Sequence, residues 1–511
     1  MPAPASPQDG APGEPVARLR QAMAAGTLTS AALTAQCLDR IAGLNPRLRA
    51  VITVSPEAAA EAARCDRERT VQSGPLHGIP VLVKDNIAVA GLPATAGSPA
   101  LLGAETGDSF LAGRLRAAGA VILGKANLSE WANFRSTQSS SGWSTLGGQA
   151  ANPHALDRSP SGSSSGSGVA VAAGLAPLAV GTETDGSIVC PASACGVVGI
   201  KPTLGLVSRH GIVPISAEQD TAGPMARTVA DAAALLGVLA AADPADPATA
   251  PAAGQPSDYT AFLDPGALAG ARLGVWRDGC QAAGQATRAV LDAAVAGLRR
   301  GGATVLDPVE LPGAASLGEP ESAALLHEFK HDLNRYLSGL PGPRPRSLAE
   351  LIDYNQRNAG EVLVHFGQEL FEQAAATSAD PADPAARAAR AEARTRAREA
   401  LDGPLTAHRL DAVVTLTANP ACLTDHLLGD HHVFYTSSPS AVAGYPAVTV
   451  PAGQVQGLPV GLSFLGPAWS EPRLIALAHS FEHRSLQAQA SRAQLASPGP
   501  ATSDGGRSGG R

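Results

Sequence analysis

The alternation of short apolar strands with helical segments constrains the fold of this chain more than any other feature of its sequence. The apolar runs 50–54, 80–84 and 120–124 are separated by segments with helical spacing, such as 109–119. Alternation of this kind is typical of a largely parallel sheet with helices on its faces. Active groups of such sheets gather at the strand ends. The sequence therefore predicts an α/β fold with Lys84 at the end of a strand.

Composition divides the 511 residues into a large central part and two flanks. Residues 1–15 and 489–511 are rich in small residues, proline or polar residues, and we expect both to be disordered. The chain between them, 16–488, is expected to form one domain. Within it, 319–402 is more charged and mostly helical in pattern, which predicts a helical insertion over the sheet.

Charge and cysteine content exclude several classes of protein. The net charge of −7 is spread along the chain without blocks, so no nucleic-acid partner is expected. No apolar run is long enough to span a membrane, and the first residues lack the pattern of a signal peptide. Six cysteines in so long a chain form no disulfide framework, although one disulfide, either Cys190–Cys195 or a long-range pair, stays open. We expect a soluble cytoplasmic protein.

Lysine is rare in this chain, since only four of the 38 basic residues are lysines. A buried lysine can serve as a base, whereas arginine cannot be deprotonated in proteins. The four lysines are Lys84, Lys125, Lys201 and Lys330, and the first three flank the serine-rich region described next. Lys84, at its strand end, is the candidate base, and an ordinary solvated or paired lysine is the alternative interpretation of each.

Two turns rich in small residues carry the candidate nucleophiles. The first, SGSSSGSG, resembles a flexible linker in composition, but an apolar helical pattern follows it at once. It also contains a formal GxSxG from Gly162 to Gly166, which lacks the preceding strand that a nucleophile elbow needs. The second turn, GTETDGS (181–187), follows an apolar segment, and its backbone amides can converge on an oxyanion. Ser187 is therefore the candidate nucleophile, with a purely structural turn as the alternative.

A short histidine motif offers a different chemistry. HEFKH (327–331) matches the zinc pattern HExxH on a predicted helix, with His327 and His331 as ligands. Nothing in the sequence marks a third ligand, so a helix surface is the preferred interpretation. The cluster HLLGDHH (426–432) is likewise interpreted as a loop rather than a metal site.

Several long motifs resemble those of the amidase signature family. They are VLVKDN (81–86), the cluster Gly162-Ser163-Ser164, GTETDGSIVCPAS (181–193) and GVVGIKPTLGLVSRHGIVPIS (196–216), within a similarity that extends from Val16 to Ser485. GPLHGIPVL, QDTAGPMARTVADAA and AVAGYP are most similar to peptide amidases, which remove ammonia from C-terminal carboxamides of peptides. The resemblance implies one α/β/α domain around a mixed, mostly parallel sheet of about eleven strands, without metal or cofactor.

The resemblance also assigns roles to individual residues. It implies that Ser187 is the nucleophile, that Lys84 is the terminal base, and that Ser163 bridges them after a cis peptide bond from Gly162. The oxyanion hole would be formed by the backbone amides of Thr184, Asp185, Gly186 and Ser187. This chain departs from the usual family pattern at four positions. Ser161, Ser165 and Asp185 stand where glycine is usual, and Val189 stands where arginine is usual.

The expected function is amide hydrolysis by a Ser-cisSer-Lys site through an acyl-enzyme. The expected substrates are C-terminal peptide amides or amino-acid amides, handled by a monomer or homodimer without a cofactor. Two alternatives remain open at this point. One is the amidase component of a tRNA-dependent amidotransferase, which would need partner chains, and the other is a zinc peptidase acting through His327 and His331.

Overall fold

Eleven strands form one sheet in the part of the chain that the computed structural model describes, residues 11–104 and 106–496. For residues 486–496 only the backbone is described. Two further strands, β4 and β5, form a separate ribbon. In chain order the strands are β1 (Val51–Val54), β2 (Pro80–Lys84), β3 (Val121–Ala126), β4 (Trp143–Ser144), β5 (Gly148–Gln149), β6 (Leu178–Glu183), β7 (Val198–Lys201), β8 (Thr221–Ala226), β9 (Arg272–Val275), β10 (Thr304–Leu306), β11 (Ala412–Leu416), β12 (Ala447–Val455) and β13 (Leu458–Leu465).

The large sheet is mixed, with the strand order β1-β3-β2-β6-β8-β7-β12-β13-β11-β9-β10. Its parallel pairs are β2 with β3 and β6, and β9 with β10 and β11. All other neighbours among the described strands are antiparallel. The predicted α/β fold with a mixed sheet is confirmed, but the prediction that the sheet is mostly parallel is wrong.

A tight hairpin accounts for part of this difference. Strands β12 and β13 are joined by Gln456 and Gly457 alone, and both residues have a positive φ, 52° and 82°. A two-residue turn with that backbone matches the twist of an antiparallel pair. The strand pattern on either side predicts two strands but not their relative direction.

Fifteen α-helices surround the sheet among the described residues. They are α1 (Val16–Ala24), α2 (Ser30–Leu48), α3 (Ala58–Glu68), α4 (Phe110–Ala117), α5 (Ser165–Ala172), α6 (Val189–Cys195), α7 (Val229–Leu239), α8 (Gln285–Arg300), α9 (Gly318–Ser338), α10 (Leu348–Arg357), α11 (Ala359–Val362), α12 (Glu369–Ala376), α13 (Pro384–Ala407), α14 (Ser438–Ala443) and α15 (Glu471–Ala496). Helix α2 passes through Pro46 and closes on Arg49 in the left-handed conformation.

Helices cover both faces of the sheet, and strand β2 shows how the faces are divided. Val81 and Val83 pack in the core cluster that contains α7, whereas Leu82 packs in the cluster that contains α2, α3 and α5. Successive side chains of a strand point to opposite faces. Lys84 therefore follows Leu82 onto the face covered by α5, which begins immediately after the serine cluster.

Helices α9 to α13 occupy residues 318–407, called the helical segment below. Phe329 of α9 stacks on Phe371 of α12, with ring centroids 5.3 Å apart. These rings share a buried cluster with Trp131 and Ile215 from the sheet-bearing part of the chain. The predicted helical insertion, 319–402, falls within this segment, and its packing sets it beside the strand ends that carry the candidate site.

Part of the domain prediction concerns residues that the structure does not describe. Residues 1–10 and 497–511 lie outside the described residues, so the expected disorder of 1–15 and 489–511 stays a prediction, as does a domain spanning 16–488. All six cysteines are free thiols. Within the described ranges, no helix combines the length and apolar character needed to cross a membrane.

Candidate active site

Lys84 ends strand β2 in a fully buried position. Its Nζ lies 2.8 Å from Ser163 Oγ, 2.8 Å from Thr182 Oγ1 and 3.2 Å from the Thr182 carbonyl oxygen. Burial lowers the pKa of Lys84 to about 7, although the carboxylates of Asp220 and Glu183 act in the opposite direction. Desolvation favours the neutral amine because it penalises the charged form. Lys84 is thus a lysine that can be neutral near neutral pH.

The serine cluster approaches Lys84 through a tight loop that leads into α5. The Gly162-Ser163 peptide bond is cis, and Ser161 has a φ of +62°. Ser161 is one of the positions where this chain departs from a usual glycine, and its left-handed backbone explains why glycine suits it. Ser165, another departure, donates its hydroxyl to the Ser161 carbonyl at 2.7 Å and closes the loop. Within the described chain no strand leads directly into this loop, so its GxSxG match is not a nucleophile elbow.

The turn between β6 and α6 exposes several backbone amides. Gly186 has a φ of +80°, and a Cβ there would lie 2.9 Å from Cys190 Sγ, so the turn requires glycine. Glu183 Oε2 accepts the N–H groups of Ile188 at 2.7 Å and Val189 at 3.0 Å, which fixes the start of α6. Among the described contacts, no protein acceptor takes the N–H groups of residues 185–187. They are available to a bound oxygen.

Ser187 adjoins the serine cluster through the backbone. The Ser164 N–H donates to the Ser187 carbonyl at 3.1 Å, so the two turns are hydrogen-bonded to each other. The described hydrogen bonds include the Lys84–Ser163 contact but none between the hydroxyls of Ser163 and Ser187. The structure therefore joins the predicted base to the predicted bridging serine, and sets the predicted nucleophile on the adjacent turn.

A cavity of about 400 Å³ opens onto Ser187. Residues 184–187, called the oxyanion turn below, form its polar end together with Gly162. Its apolar wall is contributed by the helical segment and neighbouring loops through Phe134, Ile215, Leu325 and Leu370. None of the described residues that line it is a lysine or arginine. The cavity thus combines an apolar wall with free backbone N–H groups beside a serine hydroxyl.

Two carboxyl groups also line this cavity. Asp185 accepts a hydrogen bond from the Ser438 hydroxyl at 2.6 Å, and burial raises the pKa of Asp185. Burial raises the pKa of Glu321, on α9, to about 8, with the nearby charge of Asp185 acting in the same direction. Asp185 is a departure from the usual glycine of the family, and Ser438 of α14 provides its partner. Val189, the remaining departure, is buried in the core below α6.

The zinc alternative is not supported by the partners of its residues. Glu328 is held by Arg390 and by the Ser216 hydroxyl, 2.6 Å away, and the His331 Nδ1 atom lies 2.9 Å from the Ala379 carbonyl oxygen. In the 426–432 loop, His431 and His432 lie 3.0 and 3.4 Å from carboxylate oxygens of Asp425 and Asp430, and His426 stacks on His365. The described residues contain no group of three or more His, Cys, Asp or Glu arranged to hold a metal ion.

The remaining lysines have structural partners. Lys125 lies 3.5 Å from Asp85 in the interior, Lys201 donates to the Pro202 carbonyl at 3.0 Å, and Lys330 donates to backbone carbonyls of the helical segment. Of the four lysines that the composition singled out, Lys84 is the one whose Nζ contacts a serine hydroxyl of the cluster.

Three residues at the site were given no role by the sequence analysis. Thr182 contacts Lys84 with both of its oxygens, and Gln219 and Asp220 contact the carbonyl and the hydroxyl of Thr184. Thr182 belongs to the GTETDGS turn and Gln219 begins the QDTAGPM motif. The sequence shows that these residues belong to motifs, but it does not show which atoms they contact.

Comparison with known proteins shows which family the chain resembles as a whole. The family model Amidase matches residues 32–475. A probable amidase of Arabidopsis thaliana is 42% identical over 473 residues, 90% of this chain and 87% of that protein. A glutamyl-tRNA(Gln) amidotransferase subunit of Symbiobacterium thermophilum is 35% identical over 478 residues, 91% and 96% of the two chains. The native peptide amidase structure from Stenotrophomonas maltophilia is 52% identical with a TM-score of 0.88, covering 92% of this chain and 97% of that one.

Fold and relatives together define the class of protein as a hydrolase that acts on amide bonds. The chain belongs to the amidase signature family, as its motifs predicted. Its similarity to peptide amidase structures at 52% identity also agrees with the branch of the family that the motifs indicated.

Proposed function

We propose that this chain hydrolyses the C-terminal carboxamides of peptides, or amino-acid amides, and releases ammonia through an acyl-enzyme on Ser187. The observation that carries the proposal is the 2.8 Å contact between Lys84 Nζ and Ser163 Oγ, next to the turn that bears Ser187. A buried lysine with a pKa of about 7 is a suitable base for a serine relay.

The surroundings of Lys84 orient its lone pair. A neutral amine has two N–H groups and one lone pair, and the two oxygens of Thr182 accept the two N–H groups. The lone pair then faces Ser163, whose O–H donates to Nζ. Asn86 also donates to Thr182 Oγ1, at 3.0 Å, and helps to fix that side chain. Proton transfer from Ser163 to Lys84 therefore needs no rearrangement of the base.

The acylation step follows from this relay. Ser187 Oγ attacks the amide carbonyl and transfers its proton to Ser163, whose own proton passes to Lys84. In the proposed mechanism the hydrogen bond between the two hydroxyls forms in the complex with substrate, where catalytic hydrogen bonds become short and aligned. The carbonyl oxygen becomes an oxyanion that accepts the N–H groups of the 184–187 turn. The relay returns the proton to nitrogen as the C–N bond breaks, ammonia leaves, and water hydrolyses the ester.

The shape and lining of the cavity support a neutral, partly apolar acyl group. Its volume of about 400 Å³ accommodates one or two amino-acid residues, and its apolar wall suits their side chains. The absence of lysine and arginine from the described lining disfavours a free carboxylate in the substrate. The similarity to peptide amidases supports the same substrate class.

A second candidate function has support from several curated relatives and from one solved structure. The glutamyl-tRNA(Gln) amidotransferase chain of Symbiobacterium thermophilum is 35% identical, and the match covers nearly the whole of both chains. An enzyme of that kind would need partner chains. The higher identity to peptide amidases, 52%, favours the first function.

The experiment that separates these functions is ammonia release by the purified chain alone. We expect turnover of short peptide amides, measured across a panel that includes amino-acid amides, aryl amides and free glutamine. Activity confined to glutamine, or appearing only with added partner chains, would reject the peptide-amide proposal.

The pH dependence of kcat/KM should report the base. Because neutral Lys84 is the active form and its pKa is about 7, the rate should rise with pH, reach half its plateau near pH 7 and level off above about pH 8. Two pH units below the pKa, the rate should be about 100-fold lower. A rate that keeps rising toward pH 10, the range of an ordinary lysine, would contradict the role of burial.

A further inference from the structure

The oxyanion turn is held at Thr184 by two adjacent residues that the proposed mechanism does not use. Gln219 Nε2 donates to the Thr184 carbonyl at 3.0 Å, and Asp220 Oδ1 accepts the Thr184 hydroxyl at 2.5 Å. Gln219 is 2% exposed and Asp220 9% exposed, so water does not compete for these contacts. One dipeptide thus holds both the backbone and the side chain of the first residue in the turn.

Asp220 is itself fixed by the backbone of a neighbouring turn. Its second carboxylate oxygen, Oδ2, accepts the N–H groups of Ile215 at 2.8 Å and Ser216 at 2.9 Å. Both oxygens of the carboxylate are therefore occupied by donors on different parts of the chain. A side chain bound at both ends has little freedom to move the Thr184 hydroxyl.

Gln219 is fixed by the helical segment. Arg390, on α13, donates to Gln219 Oε1 at 2.6 Å and is itself paired with Glu328 of α9 at 2.6 and 2.8 Å. The Gln219 Nε2 atom donates a second hydrogen bond to Glu321 Oε1 at 2.6 Å. Since Arg390 can only donate, the amide of Gln219 has one orientation, with its NH2 group toward Thr184 and Glu321.

We propose that Gln219 and Asp220 are positioning residues that set the geometry of the oxyanion turn, and that Arg390 and Glu321 couple the helical segment to it. The proposal rests on the proposed function, in which the amides of the 184–187 turn receive the oxyanion. Thr184 is the residue where the turn leaves strand β6. A shift there moves all the following N–H groups relative to Ser187.

Small displacements of such groups have large effects on rate. Misplacement of a catalytic group by about 1 Å costs about 100-fold. Movement of the turn would leave substrate binding nearly unchanged, because the apolar wall of the cavity, formed by Phe134, Ile215, Leu325 and Leu370, comes from other parts of the chain. A loss in kcat with little change in KM is therefore the signature of this positioning role.

The direct test is the variant Gln219→Glu. It keeps the size of the side chain but removes the donor to the Thr184 carbonyl. We expect kcat to fall by about 10- to 100-fold with KM within about threefold of wild type. Gln368→Glu is the matched control, because Gln368 is a buried amide of the helical segment that bonds Asn355 and does not contact the turn. The control should retain kcat within about threefold.

A double variant separates positioning from stability. In Gln219→Glu with Glu321→Gln, the contact between positions 219 and 321 is restored with donor and acceptor exchanged, and Arg390 still finds an acceptor at 219. Thermal stability should therefore recover. The Thr184 carbonyl still lacks its donor, so the loss in kcat should persist. If kcat returns together with stability, the role of Gln219 is structural and the proposal is wrong.

The same variants distinguish failure of this inference from failure of the proposed function. The rate of covalent labelling by a fluorophosphonate depends on the oxyanion turn but not on the natural substrate. If wild type turns over no peptide amide, the proposed substrate is wrong, and the labelling rates of the single, double and control variants still decide the role of Gln219. Equal labelling rates in wild type and Gln219→Glu would overturn the inference.

Discussion

Replacing Lys84 by arginine is expected to lower kcat/KM for an amide substrate by at least about 10³-fold, nearly as much as replacement by alanine. Arginine preserves the positive charge but cannot be deprotonated, so it cannot take the proton of Ser163. The measurement is ammonia release at the optimal pH, together with thermal unfolding to verify that each variant is folded.

A second Lys→Arg substitution provides the control for this experiment. Lys330 donates to the carbonyls of Ala375 and Thr377 in the helical segment, and these partners are not residues of the candidate site. Lys330→Arg should retain nearly full activity. Substantial activity in Lys84→Arg would remove the base role, whatever the effect of the alanine variant.

Loss of the Ser187 hydroxyl should have the largest effect of any single substitution. Ser187→Ala is expected to lower kcat by at least about 10⁴-fold, because the proposed acyl-enzyme forms on the hydroxyl that this variant lacks. Ser163→Ala should lower it by about 10² to 10⁴-fold, since it interrupts proton transfer without removing the nucleophile. Stopped-flow or coupled ammonia assays measure kcat of the two variants and show whether Ser187→Ala loses more activity than Ser163→Ala.

Ser167→Ala is the matched control for the serine variants. Ser167 lies in the same cluster, but its hydroxyl donates to the Val180 carbonyl at 3.3 Å and serves packing of α5 on β6. Its variant should stay within about threefold of wild type. An effect of Ser163→Ala no larger than that of Ser167→Ala would contradict the bridging role.

Much of the framework around Lys84 could be predicted because it depends on local pattern. The apolar run 80–84 predicts strand β2, and the structure ends that strand at Lys84. The motifs identified the family, and with it the class of reaction, because long stretches of specific residues are rarely matched by chance. The scarcity of lysine added an independent reason to examine Lys84.

The direction of strands and the contacts of the oxyanion turn could not be predicted in the same way. Pairing of β8 with β6 and β7 is decided by packing across the sheet, and neither strand's pattern encodes it. Gln219 contacts Thr184, which lies 35 positions earlier in the chain, and Arg390, which lies 171 positions later. Spacing in the sequence carries no signal for such a hydrogen bond.

The central claim is that Ser187 attacks the substrate, and mapping a covalent adduct tests it most directly. The wild-type enzyme would be inactivated with a fluorophosphonate, digested and examined by tandem mass spectrometry. The account predicts one adduct, on the Ser187 hydroxyl, with inactivation prevented by a peptide amide substrate. An adduct on Ser163 or another serine of the 159–167 cluster, formed in step with loss of amidase activity, would contradict it.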